Sequence, residues 1–151
     1  RAQNRTNSGA VFIFRGSAQG AIETNPAFVY WGPQANLGLR NVAEEIDFNG
    51  DGQFDLVMGM PSFDRGNRGN AGQMVVIYGQ PASSDGRTKV LCQPNFRFRG
   101  LRLNDRLGTA ISSAGDIDND GDIDVIVVPG FENRIIAYIN NGNSTIIIFI
   151  Y

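Results

Sequence analysis

Two stretches of the chain share one pattern. Asp47-Phe48-Asn49-Gly50-Asp51-Gly52-Gln53-Phe54-Asp55 and Asp116-Ile117-Asp118-Asn119-Asp120-Gly121-Asp122-Ile123-Asp124 both read D-x-(D/N)-x-D-G-x-x-D. Side-chain oxygens at positions 1, 3, 5 and 9, around a glycine that allows a sharp turn, can wrap a hard cation. The residue after each glycine, Gln53 or Asp122, would add its backbone carbonyl. An oxygen-only donor set favours calcium over zinc or copper. An EF-hand would need a bidentate Glu at position 12, where Met58 and Val127 stand, so that motif is rejected. The competing reading, solvated turn formers, suits one copy better than two in the same register, because clustered carboxylates repel without a cation. A matched pair starting 69 residues apart, at Asp47 and Asp116, is a repeat.

Other segments repeat with it. Gly9-Ala-Val-Phe-Ile-Phe-Arg-Gly16 is echoed by Gly72-Gln-Met-Val-Val-Ile-Tyr-Gly79, and more loosely by 134–140. Pro26 to Gly32 is echoed by Asn95 to Gly100, and Leu37-Gly38 and Leu107-Gly108 each precede an acidic loop. Buried-looking strands are expected after the loops, at Phe54 to Met58 and Ile123 to Val128. Nineteen glycines and six prolines among short apolar runs point to many turns and an all-β chain, with no sustained helical period. The unit is thus 60 to 70 residues with four strands, the size and content of a β-propeller blade. Ten strands make about two and a half four-stranded antiparallel blades in one domain spanning 1–151. Residues 1–36 would be the last two strands of a blade, 37–100 a blade with the first calcium loop, and 101–151 a blade with the second.

That inventory is incomplete as a closed propeller and leaves unpaired edges. Either neighbouring copies of the chain or the rest of a longer polypeptide would complete it. An opening on Arg1 without a signal peptide is expected of a processed or truncated product. The apolar run 145–151 reads as a fourth blade strand, or as one that adds to another subunit's sheet.

The blade from Leu37-Gly38 through the first acidic loop, Gly59-Met60-Pro61 and Gly72 to Gly79 resembles the FG-GAP repeat, the propeller blade of integrin α subunits and many extracellular bacterial proteins. Leu37-Gly38 stands for the family's Phe-Gly and Gly59-Met60-Pro61 for its Gly-Ala-Pro. The later blade matches through Leu107-Gly108 and its loop, then departs at Val128-Pro129-Gly130 and has a shorter link to its third strand. The resemblance implies calcium held in both loops, by Asp47, Asn49, Asp51, Gln53 and Asp55 and by Asp116, Asp118, Asp120, Asp122 and Asp124. With Asp118 where the first loop has Asn49, the second site carries one more charge and is expected to bind more tightly.

The net charge of −2 and the lack of a basic stripe argue against nucleic-acid binding, although twelve of the thirteen basic residues are arginine. No run is long enough for a membrane span. Without histidine the commonest general base is missing, and the aspartates are spaced as metal ligands, so no enzyme is expected. Lone Cys92 reads as a small buried hydrophobe. Tyr30 and Trp31 suit a packed blade interface better than a sugar or protein contact. Asn4 and Asn143 begin N-glycosylation triplets. The expected role is a calcium-binding extracellular or cell-surface structural and adhesive module that self-assembles, even into filaments. The alternative is an excised fragment of a larger propeller receptor or adhesin recognising a protein or glycan.

Overall fold

The computed structural model describes residues 6–39, 41–81, 86–130, 136–140 and 146–150, with Glu44 and the last two segments described by backbone alone. These residues form eleven strands and no helix. The middle sheet is β3 (Asn41–Ile46), β4 (Asp55–Met60), β5 (Gln73–Ile77) and β7 (Phe96–Arg99), all antiparallel neighbours. The third has the same order in β8 (Ala110–Gly115), β9 (Asp124–Val128), β10 (Ile136–Asn140) and β11 (Ile146–Ile150). The first holds β1 (Ala10–Ile13), β2 (Phe28–Trp31) and β6 (Lys89–Leu91).

Central β5 explains the stacking. Its Gln-Met-Val-Val-Ile run is buried at every position, so both faces must be covered. Val75 and Ile77 pack with Tyr30, Leu37, Met58 and Met60 toward the first sheet. Met74 and Val76 pack with Val57, Leu107, Val125 and Val127 toward the third. Leu37 and Leu107, 0% and 1% exposed, occupy corresponding places in the two clusters. Each such buried aliphatic contributes about 1.5–3 kcal/mol. The sheets are therefore stacked face to face as propeller blades are, and the described strands do not close into a ring.

The strand preceding each acidic loop carries an irregularity at the same place: β3 between Ala43 and Ile46, β8 between Ser113 and Gly115. Glu45 and Gly115 are left-handed there, with φ of 56° and 72°. Such bulges bend the strand and re-aim the chain beyond them, here into the two loops. At the opposite end the blades approach closely: a Cβ on Gly59 would lie 2.1 Å from the Gly108 carbonyl oxygen.

Several expectations need correction. The described residues hold eleven strands where about ten were expected, because β6 adds to β2 in parallel. Long-range pairing created a strand from Lys-Val-Leu, which has no local signature. Phe54 is not in the buried strand: β4 starts at Asp55, and Phe54 is 68% exposed. Cys92 is exposed just beyond short β6 rather than buried. Tyr30 is buried, but its strand neighbour Trp31 points to the other face and is 52% exposed. The terminal apolar run pairs with β10 as a fourth blade strand, Ile146 opposite Asn140 and Ile150 opposite Ile136. Asn4 and Asn143 lie outside the described residues.

Leu107→Ala should cost about 2–5 kcal/mol in urea unfolding, and Gly59→Ala about 1–3 kcal/mol through overlap with Gly108. Leu101→Ala, at a residue 67% exposed, should stay within about 0.5 kcal/mol. Equal costs for the two leucine variants would refute the assigned packing.

Candidate metal centre

Both acidic loops span the turn between the first two strands of a blade, 47–54 between β3 and β4 and 116–123 between β8 and β9. Their internal hydrogen bonds match. In the first, the N–H of Asp51 donates to Asp47 Oδ1 (3.1 Å) and that of Gly52 to Asp47 Oδ2 (2.7 Å). In the second, Asp120 and Gly121 donate to the two oxygens of Asp116, each at 3.0 Å. Position 5 then accepts from position 7: Gln53 N–H to Asp51 Oδ1 at 2.8 Å, Asp122 N–H to Asp120 Oδ1 at 3.0 Å. Gly52 and Gly121 have φ of +83° and +96°, left-handed values that a side chain would strain.

Position 9 staples the loop shut. Phe48 N–H donates to Asp55 Oδ2 (2.8 Å), and Ile117 N–H to Asp124 Oδ2 (2.7 Å). Asp55 and Asp124 are 6% and 0% exposed. Asp55 Oδ1 also accepts the N–H of Gly79 (2.7 Å), tying the loop to the chain just after β5. Each carboxylate oxygen has two lone pairs, so these bonds leave acceptor capacity for a cation. Gly79 is the participant that sequence reasoning missed. It was visible only as the end of an apolar run, since its contact with Asp55 spans 24 residues.

The positions suited to hold an ion come together in the second loop. Asp116, Asp118 and Asp120 are exposed, and one oxygen from each lies within 4.8 Å of the others. Calcium–oxygen bonds run about 2.3–2.6 Å, so donors around one ion lie at most about 5 Å apart. The geometry fits an oxygen-coordinated cation. In the first loop Asn49 replaces the middle carboxylate. Its amide donates to Asp51 Oδ2 (3.0 Å), and its Oδ1 accepts the Asp51 N–H (3.3 Å). Gln53 is exposed at position 7. Asp122, its counterpart, lies against the first loop: a Cβ on Gly50 would be 2.2 Å from Asp122 Oδ1.

Three of the loop carboxylates have raised pKa values, through loss of water first and neighbouring charge second. Burial raises that of Asp55, and Asp47 and Asp51 add to this, against the lowering effect of the Gly79 and Phe48 N–H groups. Local loss of water raises Asp122, followed by the charges of Asp120, Asp47, Asp116 and Asp124. Asp118 stays exposed overall, yet local desolvation and then the charges of Asp120, Asp124 and Asp116 raise it, partly offset by the Asp120 N–H. A bound cation would reverse this repulsion.

Residues 46–77 match the family profile described as FG-GAP repeat. The chain is 36% identical over 105 residues to integrin alpha-V of Gallus gallus, which is 66% of this chain and 10% of that protein. It is 27% identical over 143 residues to integrin alpha-3 of Mus musculus, 95% of this chain and 13% of that protein. It is 30% identical over 97 residues to phosphatidylinositol-glycan-specific phospholipase D of Rattus norvegicus, 63% of this chain and 11% of that protein. The chain therefore spans only 10–13% of the length of these relatives. The matched segment runs from the end of β3 through the first acidic loop to the end of β5. The chain carries an FG-GAP repeat at residues 46–77.

Proposed function

We propose that this chain is a calcium-braced blade segment of an extracellular adhesion protein, non-enzymatic in itself. The observation that carries the reading is the convergence of Asp116, Asp118 and Asp120 oxygens within 4.8 Å, in a loop whose hydrogen bonds repeat in the neighbouring blade. Calcium would supply charge neutralisation and a fixed centre for each loop. Asp47, Asn49, Asp51 and Asp55, with the Gln53 carbonyl, are assigned to one ion. Asp116, Asp118, Asp120 and Asp124, with the Asp122 carbonyl, are assigned to the other. The chain's own residues already set the loop shape through backbone N–H groups, so the ion stabilises an existing turn and the strand pair it joins. Similarity to integrin alpha chains favours a cell-surface setting and a protein ligand for the parent molecule. No helix of the described residues is long and apolar enough to cross a membrane. Similarity to a phospholipase D covers 11% of that protein, too little to bring its activity to this chain.

A second reading, self-association, rests on the first sheet. β1 pairs with β2 on one side only, and its other edge has no strand among the described residues. Phe12, Phe14 and Trp31 are 50%, 45% and 52% exposed on the face away from the middle sheet, with Phe12 edge-on to Trp31 at 5.9 Å. Val75 and Ile77, the residues corresponding to Phe12 and Phe14 in β5 and its end, are covered by a neighbouring blade. An additional sheet would bury this surface. Copies joined through it in the head-to-tail relation of the blades would give rings or filaments.

Calorimetry should find two calcium sites on the order of 10⁻⁴ to 10⁻³ M, the second loop tighter. Asn49→Asp should strengthen the first, and Asp118→Asn should weaken the second. Calcium at about 100 times Kd should stabilise the fold by about 2.7 kcal/mol per site, a gain lost on chelation. Unchanged affinities in both variants would sink the ligand assignment.

Sedimentation velocity tests self-association separately. The chain should form species larger than the monomer at micromolar concentration, and Phe12→Ser with Trp31→Ser should return it to monomer. A wild-type chain that stays monomeric excludes this second reading.

A further inference from the structure

β3 and β8, the first strands of adjacent blades, are in contact, and the acidic loops that follow them lie side by side. Their ligand sets are unequal. Asp116, Asp118, Asp120 and Asp124 give the second loop a formal −4. Asn49 leaves the first loop with Asp47, Asp51 and Asp55, a formal −3. Charge count is one of the properties that set calcium affinity in oxygen-donor loops.

One further carboxylate reaches the first loop from outside it. Asp122 is half-buried, whereas its counterpart Gln53 is exposed. A Cβ on Gly50 would lie 2.2 Å from Asp122 Oδ1, so the loops meet where position 4 carries only a hydrogen. After loss of water, the charges of Asp120 and then Asp47 raise the Asp122 pKa most, ahead of Asp116 and Asp124 in its own loop. No lysine or arginine occurs in 41–60 or 107–128, the strands and loops on both sides of this contact. Neither hairpin therefore offers the half-buried charge a basic partner. A cation in the first loop would supply one.

We infer, on the calcium reading of both loops, that the Asp122 carboxylate completes the first loop's site across the blade junction. It supplies the charge that Asn49 lacks, while its own backbone carbonyl serves the second loop. The contact falls at Gly50, between ligand positions 49 and 51, so the charge acts on the ion through space and replaces no ligand. An ion in the first loop is then attracted by both blades. Binding it tightens their junction as well as the turn between β3 and β4.

The test titrates the isotope-labelled full chain with calcium and follows the Gly52 and Gly121 amides by NMR, which read the two loops separately. Asp122→Asn should weaken binding at Gly52 about three- to tenfold, and this ratio should shrink in high salt. Asp122→Glu, which keeps the charge, should stay within about twofold of the parent. Gly50→Asn should displace the carboxylate, weakening the first loop while leaving the second within about twofold. Asn suits that backbone: Gly50 has φ of 68°, and Asn119 fills the same position of the second loop at 60°. Melting temperatures without calcium should not fall below the parent's; where Gly50→Asn lowers it, the Asp122→Asn and Asp122→Glu pair decides. First-loop affinity unchanged by Asp122→Asn would overturn the inference and leave the calcium reading standing. So would a loss that Asp122→Glu shares in full or that ignores salt. A parent chain in which neither glycine responds to calcium would overturn both.

Discussion

The burial of β5 on both faces is the constraint on which the rest depends. Gln73, Met74, Val75, Val76 and Ile77 are all buried, with Met74 and Val76 turned one way and Val75 and Ile77 the other. A strand apolar on both sides is unstable in a lone sheet, so it requires a neighbour on each face. The middle sheet thus sets the positions of the first and third. It also positions the first acidic loop, because Asp55 accepts the N–H of Gly79 just past the end of β5. Packing and loop geometry are one mechanical unit.

That unit segregates charge along its length. Strands of five or six residues separate the two ends by about 17–20 Å, beyond the Debye length of about 8–10 Å at physiological salt. The ends therefore act electrostatically as two separate surfaces. At one, aspartates crowd until burial and mutual repulsion raise Asp55, Asp118 and Asp122 above the ordinary carboxylate pKa. At the other, Asp64 and Asp105 accept backbone N–H groups, and Arg68, Arg102 and Arg106 are exposed. The composition shows only a net −2 and a bias toward arginine. The fold turns that balance into opposed ends.

The acidic loops were legible in the sequence because a D-x-D-x-D-G turn depends on residues within nine positions, each with a defined local task. The strands were legible because their apolar runs lie between turn glycines, and in the backbone pairing β11 falls where the repeat put it. Leu37 and Leu107 could be matched to each other from their place in the repeat, and both proved to be buried plugs between sheets. Phe54 and Cys92 could not be placed that way. Phe54 sits one residue before the strand begins, where no packed sheet covers it, and Cys92 follows a strand formed only by a parallel partner far away in the chain.

By itself, the sequence determined where most of the strands and turns fall and which side-chain oxygens lie close together along the chain, since each rests on local backbone preference and residues a few positions apart. Only the tertiary structure decided what those elements face. It placed Asp122 against Gly50 of the other loop, Gly79 on Asp55, Gly108 against Gly59, and Trp31 outside while Tyr30 went in. The first three contacts join residues 24 to 72 positions apart. Their partners are fixed by how whole sheets stack to bury both faces of β5, a requirement that no short stretch of sequence contains.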